Sequence, residues 1–189
     1  RDAKLTILDV GCGSARIAFD IKDWNVDYYG LDLSREMISA AKNEMSKLEK
    51  YCNNFIYGEL EHIPIKPTQF DIIICAGVIQ YLESDFLGLS ELKKIIKPGG
   101  TLILTIPNIL RLNNILDPYY YLIRLPSYIA YKFQKKQLHD NKEFGLNKRF
   151  HNRRYFLWQL YGYFKVLNLS VTRVYSVCFG PWTFCRKVL

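Results

Sequence analysis

Long apolar runs and metal-type cysteine spacings are both missing from this chain. No apolar run approaches the ~18 residues that a membrane-spanning helix needs. None of the paired spacings of zinc sites occurs among the five cysteines, which are Cys12, Cys52, Cys75, Cys178 and Cys185. Because their number is odd and they lie scattered in apolar stretches, we expect reduced, buried thiols in a cytoplasmic protein and no metal site.

Acidic residues are scarce in the second part of the chain. Residues 1–108 hold 12 Lys and Arg against 15 Asp and Glu, whereas residues 109–189 hold 14 against 3. The basic excess behind the formal charge of +8 therefore lies in the second part, which also contains 18 of the 28 aromatic residues. A basic and aromatic segment of this kind is typical of a surface that binds a ligand or partner, so we expect that role for it.

Two phosphate-binding signatures are absent from the first glycine-rich turn, residues 8–16 (LDVGCGSAR). The turn lacks the Gly-Lys-Ser/Thr end of a Walker loop, and Arg16 stands where the dinucleotide fingerprint has its third glycine. Gly11 and Gly13 still permit a sharp strand-to-helix turn and the close approach of a ligand to the main chain. The sequence therefore predicts a nucleoside-bearing cofactor other than NAD or FAD.

Asp32 ends the next apolar run, 19 residues after Gly13. A carboxylate at the end of a neighbouring strand can accept hydrogen bonds from both hydroxyls of a ribose. The alternative is an ordinary acid at a helix start, which the helix dipole favours. The position of Asp32, directly after the apolar residues 28–31, favours the ribose role.

Five ordered motifs resemble those of the class I S-adenosyl-L-methionine (SAM)-dependent methyltransferases, including the small-molecule and ubiquinone-biosynthesis type. The glycine turn resembles their motif I. The other four follow in the family's order, at residues 29–34 (YGLDLS), 58–64 (GELEHIP), 70–76 (FDIIICA) and 97–102 (KPGGTL). The resemblance implies SAM as the cofactor and S-adenosyl-L-homocysteine as its product. It also implies an α/β three-layer sandwich with a Rossmann-like, seven-stranded, mostly parallel sheet whose last strand is antiparallel.

By this resemblance, eight residues are expected to hold SAM: Asp9, Gly11, Gly13, Asp32, Leu33, Glu59, Leu60 and Ala76. The main chain from Gly11 to Gly13 would contact the amino-acid end, with Asp9 orienting the turn. Leu33 would pack on the adenine, and Glu59 would accept its exocyclic amine. Leu60 would offer its amide to a ring nitrogen. The structural alternatives are a plain strand-to-helix turn and, for Glu59, a solvated loop acid beside Glu61.

Apolar patterning predicts alternating strands and helices. Strands are expected near residues 5–10, 27–31, 53–57, 70–76 and 100–106, with helices at 14–22, 34–49 and 84–96, the second capped by Ser34. Further elements are a helix from about Asn152 to Tyr163 and strands at 165–176 and 182–188. We expect a single domain over residues 1–189. Its parts are a cofactor-binding half (1–108), a lid or acceptor insertion (109–150), and a C-terminal helix with the last two strands (151–189).

Methyl transfer from SAM needs few catalytic residues, because the sulfonium methyl is already electrophilic. The protein has chiefly to align the acceptor with the methyl group and the sulfur. His151 is the candidate base, and Arg149, Arg153 and Arg154 could bind a phosphate or carboxylate on the acceptor. The alternative is a histidine at a helix start beside a solvated basic face. Many relatives have a histidine where Tyr81 stands, so the catalytic role of that histidine does not carry over to this chain. Tyr81 is either an acceptor contact or a core residue.

The segment 109–150 has three interpretations: a lid with aromatic walls, a basic and aromatic helix on an anionic membrane at its inner face, or a packed helix pair. We expect methyl transfer to an O, N or C nucleophile of a small or carrier-linked acceptor bearing phosphate, sugar or carboxylate. The alternatives are an RNA or other nucleic-acid methyltransferase and a non-catalytic interaction module. Residues 75–78 (CAGV) lack the Asn/Asp-Pro-Pro-aromatic motif of enzymes that methylate base amino groups, so nucleic acid ranks second.

Overall fold

Five parallel strands form the sheet of this protein in a computed structural model that describes residues 4–49, 51, 54–107 and 154–175. The strands are β1 (Leu5–Val10), β2 (Val26–Asp32), β3 (Phe55–Tyr57), β4 (Phe70–Ala76) and β5 (Ile96–Thr105). The helices are α1 (Arg16–Asp20), α2 (Arg35–Ser46), a 3₁₀ helix (Ile79–Tyr81), α3 (Asp85–Ile95) and α4 (Leu157–Val166). The predicted α/β class with a parallel sheet is thereby confirmed. The predicted strand 182–188 lies outside the described residues.

The strand order is β3-β2-β1-β4-β5. The first crossovers run outward from β1 to β3, and the chain then returns to the other side of β1 to form β4. Such a reversal leaves a crevice beyond the carboxyl ends of the two central strands, and ligands of open parallel sheets bind there. Asp9 near the end of β1 pairs with Gly30 on β2 and Ile74 on β4, so it lies at the floor of this crevice.

Two apolar clusters cover the sheet, one on each face. The first combines residues of α1 and α2 with Tyr28 and Phe55 of the sheet. The second combines residues of α3 and α4 with Ile73 and Cys75. The central strands β1 and β4 are mostly buried or half-buried between the helices and are rich in Ile and Leu, as buried parallel strands are, whereas β5, at the edge of the described sheet, is largely half-buried or exposed. The arrangement of helices, sheet and helices gives the predicted three layers.

Side-chain caps fix where the two longest helices begin. Ser34 Oγ accepts a 3.1 Å hydrogen bond from the Met37 amide, which confirms Ser34 as the cap of α2. Ser84 Oγ accepts a 3.2 Å bond from the Leu87 amide at the start of α3. Both helices end one to three residues before the predicted bounds, since apolar periodicity does not mark the last turn.

Strand β5 begins earlier than predicted, because it contains a bulge at Lys97-Pro98-Gly99-Gly100. Phe70 pairs with Ile96, whereas Ile72 pairs with Thr101. A Cβ on Gly100 would lie 2.9 Å from the Asp71 carbonyl oxygen, so the bulge requires a glycine there. The Asp71 carboxylate anchors the bulge by accepting hydrogen bonds from Lys97 Nζ (2.8 Å) and Thr6 Oγ1 (2.6 Å). This polar clamp lies at the amino end of the sheet, away from the crevice.

The last described segment corrects two predictions. Helix α4 begins at Leu157 rather than Asn152, because the Tyr155 amide donates to the Pro107 carbonyl and the Phe156 amide to Gln159 Oε1. These bonds hold residues 155–156 outside the helix. Residues 165 and 166 belong to α4, and 169–175 form no helix or strand within the described part of the chain, so the predicted strand 165–176 is wrong there. The basic residues Arg149 and Arg153 and the candidate base His151 lie outside the described residues.

Backbone packing divides the chain into two compact units. One comprises residues 1–107 and 150–169, and the other comprises 108–149 and 170–189. In the described part of the second unit, Arg173 Nη1 donates to the Tyr175 hydroxyl at 3.5 Å. None of the helices described is long and apolar enough to cross a lipid bilayer.

Candidate functional site

Three left-handed residues shape the turn between β1 and α1. Gly11, Gly13 and Ala15 have φ values of 72°, 53° and 65°. The amides of Gly11 and Cys12 both donate to the Leu31 carbonyl, at 2.7 and 3.1 Å. The turn is thereby tied to the end of β2.

The two glycines of the turn differ in what surrounds them. A Cβ on Gly11 would lie 2.3 Å from Val78 Cγ2, so the protein itself requires a glycine there. A Cβ on Gly13 would meet nothing within 4 Å. The space beside Gly13 is therefore open, as close approach of a ligand to the main chain requires.

Asp32 joins the turn to the start of α2. Its Oδ2 accepts a 2.8 Å hydrogen bond from the Gly13 amide, and its Oδ1 accepts a 2.9 Å bond from the Ser34 amide. A carboxylate offers about four acceptor positions, so two bonds leave capacity for the hydroxyls of a sugar. The helix-start interpretation of Asp32 and the ribose interpretation are thus compatible in one side chain.

Asp9 is buried beneath the turn and is 2% exposed. Its Oδ2 accepts a 2.7 Å hydrogen bond from the Tyr28 hydroxyl. Burial raises the pKa of Asp9 to about 6 against the opposing effect of the Tyr28 hydrogen bond, and the Asp32 charge raises it further. Burial likewise raises the pKa of the Tyr28 hydroxyl, which remains a donor.

Cys12 occupies the other side of the same turn. Its thiol is buried, and a Cβ on Gly30 would lie 2.7 Å from its Sγ, so it packs closely on β2. Burial, with the charges of Asp9 and Asp32, raises the pKa of Cys12 to about 12. Cys12 and Cys75 are free and buried, which confirms the prediction for these two cysteines. The other three lie outside the described residues.

The loop after β3 lies next to the end of β2. The Gly58 amide donates to the Asp32 carbonyl at 3.1 Å, and Glu59 forms an isolated antiparallel bridge with His62. Glu59 is half-buried, whereas the Leu60 side chain belongs to the core. Leu33, at the carboxyl end of β2, is 56% exposed and available to a planar ligand.

Glu61 is a structural acid that the sequence did not reveal. It is 6% exposed, and its carboxylate accepts hydrogen bonds from the amides of Ser84 (2.7 Å) and Glu83 (3.3 Å). Both amides lie just before α3, where backbone amides have no partner within the helix itself and a negative charge is favourable. One signal could have indicated a structural role for Glu61: the backbone amides at the start of α3 need a hydrogen-bond acceptor.

Two predicted residues, Ala76 and Tyr81, lie at the carboxyl end of β4 and in the 3₁₀ helix that follows it. Ala76 is exposed, and the Gly77 amide donates to Thr105 Oγ1 at 2.9 Å. Tyr81 is 45% exposed, so its interpretation as a core residue is wrong. Gln80, which the sequence did not single out, has a buried Oε1 that accepts no hydrogen bond among the described residues.

The segment 154–155 lies beside the same strand ends. The buried Tyr155 donates its hydroxyl to the Ile79 carbonyl at 3.1 Å and its amide to the Pro107 carbonyl at 3.0 Å. Arg154, half-buried, precedes it. Arg154 is a described residue, whereas the other two predicted basic residues, Arg149 and Arg153, are not.

The chemistry of the turn favours a cationic ligand over a pyrophosphate. Pyrophosphate binding depends on free main-chain amides, and the amides of Gly11, Cys12 and Gly13 are already bonded to β2. Asp9 and Asp32 meanwhile place two carboxyl groups at this end of the crevice. A ligand with ribose hydroxyls, an ammonium and a sulfonium fits these acidic acceptors. No group of three His, Cys, Asp or Glu residues within the described ranges is arranged to hold a metal ion.

A family model described as "Methyltransferase domain" matches residues 1–154. One curated relative, a malonyl-[acyl-carrier protein] O-methyltransferase of Enterobacter lignolyticus, is 28% identical over 52% of this chain and 38% of that protein. A ubiquinone biosynthesis O-methyltransferase of Coxiella burnetii is 25% identical over 73% of this chain and 56% of that protein. The chain thus spans between about two fifths and just over half of the length of these relatives.

Two solved structures share the fold. The YcgJ protein of Bacillus subtilis has a TM-score of 0.60 and 20% identity over 89% of this chain and 63% of that one. A SAM-dependent methyltransferase of Thermotoga maritima has a TM-score of 0.54 and 19% identity over 87% of this chain and 64% of that one. At these identities the likeness is one of Rossmann-like architecture.

Proposed function

The chain belongs to the methyltransferase-domain family, and from this premise we propose that it transfers the methyl group of SAM to a nucleophile on a small or carrier-linked acceptor. The observation that carries the proposal is the Asp32 carboxylate, bonded to the Gly13 and Ser34 amides beside an open glycine turn at the sheet's reversal point. Oxygen is the favoured nucleophile over nitrogen or carbon, because both curated relatives named above are O-methyltransferases.

Each part of SAM has residues of the crevice that can bind it. Asp32 accepts the ribose hydroxyls, and the exposed Leu33 packs on the adenine. Glu59 accepts the adenine amine while the Leu60 amide donates to a ring nitrogen. The carbonyl oxygens of the turn, rather than its amides, receive the ammonium group.

The remaining cofactor residues act on the methionine part. Asp9 supplies negative potential from beneath the turn, where the Tyr28 hydroxyl holds its carboxyl group. Ala76 lines the methionine chain at the end of β4. Gly11 and Gly13 supply the backbone conformation that lets the turn approach the ligand.

The SAM sulfonium supplies an electrophilic methyl, so the chain needs chiefly to align the acceptor with it and to exclude water. Tyr81 and Arg154 lie at the carboxyl ends of the strands and contact the acceptor in this proposal. Arg149 and Arg153 would bind an anionic group on it, and His151 would remove a proton where the nucleophile carries one. We further propose that the whole chain acts as one catalytic domain.

Two measurements test the proposal. Calorimetry of the chain with SAM and with S-adenosyl-L-homocysteine is expected to show binding of both. Incubation with isotope-labelled SAM and cell extract, divided into lipid, glycan, RNA and small-molecule pools, is expected to label one pool. Binding without label in any pool would indicate a non-catalytic module, and absence of binding would overturn the cofactor assignment. Label confined to RNA, with strongly salt-dependent RNA binding, would favour a nucleic-acid methyltransferase.

A further inference from the structure

The Gln80 side chain ends in a buried polar atom. Gln80 is the middle residue of the 3₁₀ helix Ile79–Tyr81, and its buried Oε1 accepts no hydrogen bond from any residue in the described ranges. Most buried polar atoms are hydrogen-bonded, because an unpaired acceptor has lost its water without a replacement. An exception needs a physical reason, and one such reason is a donor that arrives with a ligand.

The position of Gln80 relates it to the crevice. Its Nε2 lies 3.8 Å from the place that a Cβ on Gly77 would occupy, so the carboxamide lies against the carboxyl end of β4. Val78, two residues earlier, packs against Gly11 of the turn. Strands β2 and β4 flank β1, so Gln80 approaches the turn region from the β4 side, whereas Asp32 contacts it from the β2 side.

The backbone around Gln80 is fixed from behind. The Tyr155 hydroxyl donates to the Ile79 carbonyl at 3.1 Å, and the Tyr155 amide donates to the Pro107 carbonyl. The carboxamide itself is at the end of three side-chain torsions. A donor that arrives beside Gly77 can therefore be met by rotation of the side chain alone, without movement of the 3₁₀ helix.

We propose that the Gln80 carboxamide oxygen accepts a hydrogen bond from the reacting O–H or N–H group of the methyl acceptor, which makes hydroxyls and amines preferred acceptors over ionised carboxylates. This inference rests on the proposed methyl transfer. A hydroxyl or amine has a hydrogen to donate to Oε1, whereas a carboxylate has none and would bring a second electron-rich oxygen against it.

The hydrogen bond orients the nucleophile. Its lone pair forms the new bond to the methyl carbon while the carbon–sulfur bond breaks and leaves its electron pair on sulfur. The proton of the nucleophile passes to water or to a base, since a carboxamide is too weakly basic to keep it. Gln80 therefore fixes the direction of the lone pair and takes no part in proton removal.

The test uses three variants of the chain. Gln80→Met keeps the side-chain length and removes both polar atoms, whereas Gln80→Glu keeps an acceptor oxygen. The matched control is Gln69→Met, at the amino end of β4, where the Gln69 side chain contacts the Pro67 carbonyl on the surface. Each is measured for thermal unfolding, for SAM affinity by calorimetry, and for label transfer from methyl-labelled SAM to the extract pool that the wild type labels. Mild base then distinguishes methyl esters, which release methanol, from ethers and N-methyl groups, which survive.

We expect Gln80→Met to unfold at the wild-type temperature or above, because it removes a buried acceptor that no described residue pairs. Its SAM affinity should stay within about twofold, whereas transfer should fall by roughly tenfold or more, which corresponds to the loss of one good hydrogen bond. Gln80→Glu should retain most of the transfer, Gln69→Met should retain all of it, and the label should survive base.

Four results would overturn the inference and leave the methyl transfer standing: unchanged transfer by Gln80→Met, a clear loss of its thermal stability, SAM binding weakened as much as transfer, or a base-labile label. A wild type that binds SAM and labels no pool would instead overturn the proposed function itself.

Discussion

The Gly13 amide donates a 2.8 Å hydrogen bond to the Asp32 carboxylate, across 19 residues of sequence. The acid at the end of β2 therefore holds the glycine turn that follows β1, besides facing the crevice. Turn geometry and the proposed ribose contact depend on one side chain. A ligand that binds Asp32 meets a carboxylate whose direction two main-chain amides have already set.

Replacing Asp32 should separate cofactor binding from folding. Asp32→Ala removes the proposed ribose acceptor together with the bonds to the Gly13 and Ser34 amides, so SAM affinity should fall by roughly tenfold or more. Asp27→Asn is the matched control, since Asp27 lies on the same strand at its amino end in an exposed ion pair with Lys4. Calorimetry measures the affinity, and circular dichroism checks the fold. Equal SAM affinity in the two variants would contradict the site.

The two glycines of the turn should respond differently to alanine. Gly11→Ala places a methyl group 2.3 Å from Val78 Cγ2 at a positive φ, so it should destabilise by about 2 kcal/mol or more. Gly13→Ala meets no neighbour and should cost only the backbone strain, about 1 kcal/mol. Denaturant unfolding measures both. The double variant Gly11→Ala with Val78→Ala should recover part of the loss, and no recovery would show that steric overlap is not the cause.

Asp9 should make the folded state less stable as the pH rises. Its pKa is about 6 in the folded protein against 3.8 for an ordinary aspartate, so the folded state holds its proton longer. The free energy of unfolding should therefore fall between pH 4 and pH 7, by up to about 3 kcal/mol from this group.

Asp9→Asn keeps an oxygen for the Tyr28 hydroxyl and removes the titration. The difference in unfolding free energy between the variant and the wild type should therefore shift in favour of the variant from pH 4 to pH 7. Urea unfolding across this range measures the difference. A difference that does not change with pH would refute the burial argument for Asp9.

Asp71 should produce the opposite dependence at acid pH. Hydrogen bonds from Lys97 and Thr6 lower the pKa of Asp71 to about 2, so its contribution is present above pH 4 and is lost as the pH falls towards 2. The side chain is 28% exposed, and solvent screening reduces the contribution to about 1 kcal/mol. Asp71→Asn should lose that amount at pH 7 and flatten the acid limb of the stability curve. Asp27→Asn, from an exposed pair, should leave both unchanged.

Much of the crevice could be predicted from local sequence. Gly11 and Asp32 are visible because each comes at the end of a largely apolar run, as parallel strands buried on both faces have, and Gly13 is visible because it follows Gly11 by two residues. Ser34 is visible because a cap acts within three residues of itself.

The features that the sequence did not reveal depend on partners that are distant along the chain. Glu61 is buried because the residues that lead into α3 lie beside it, with the Glu83 amide, 22 residues later, donating to its carboxylate. The start of α4 depends on the Pro107 carbonyl, and the bulge in β5 depends on Asp71. The sequence does not indicate a role for Gln80, since one polar residue in a short apolar segment is typical of an ordinary surface position. Hydrogen bonds between distant segments leave no periodic trace in sequence.

The Cys12 thiol, packed between the glycine turn and Gly30, can report how often the turn separates from β2. With a pKa of about 12 and its sulfur covered, Cys12 should react with iodoacetamide at neutral pH only when the turn separates from β2. The rate at which its tryptic peptide gains the carbamidomethyl mass then measures how often that separation occurs. A ligand that bridges the turn and Asp32 should lower the rate of Cys12 alkylation. Mass spectrometry can therefore detect a ligand in the crevice before any methyl acceptor is known.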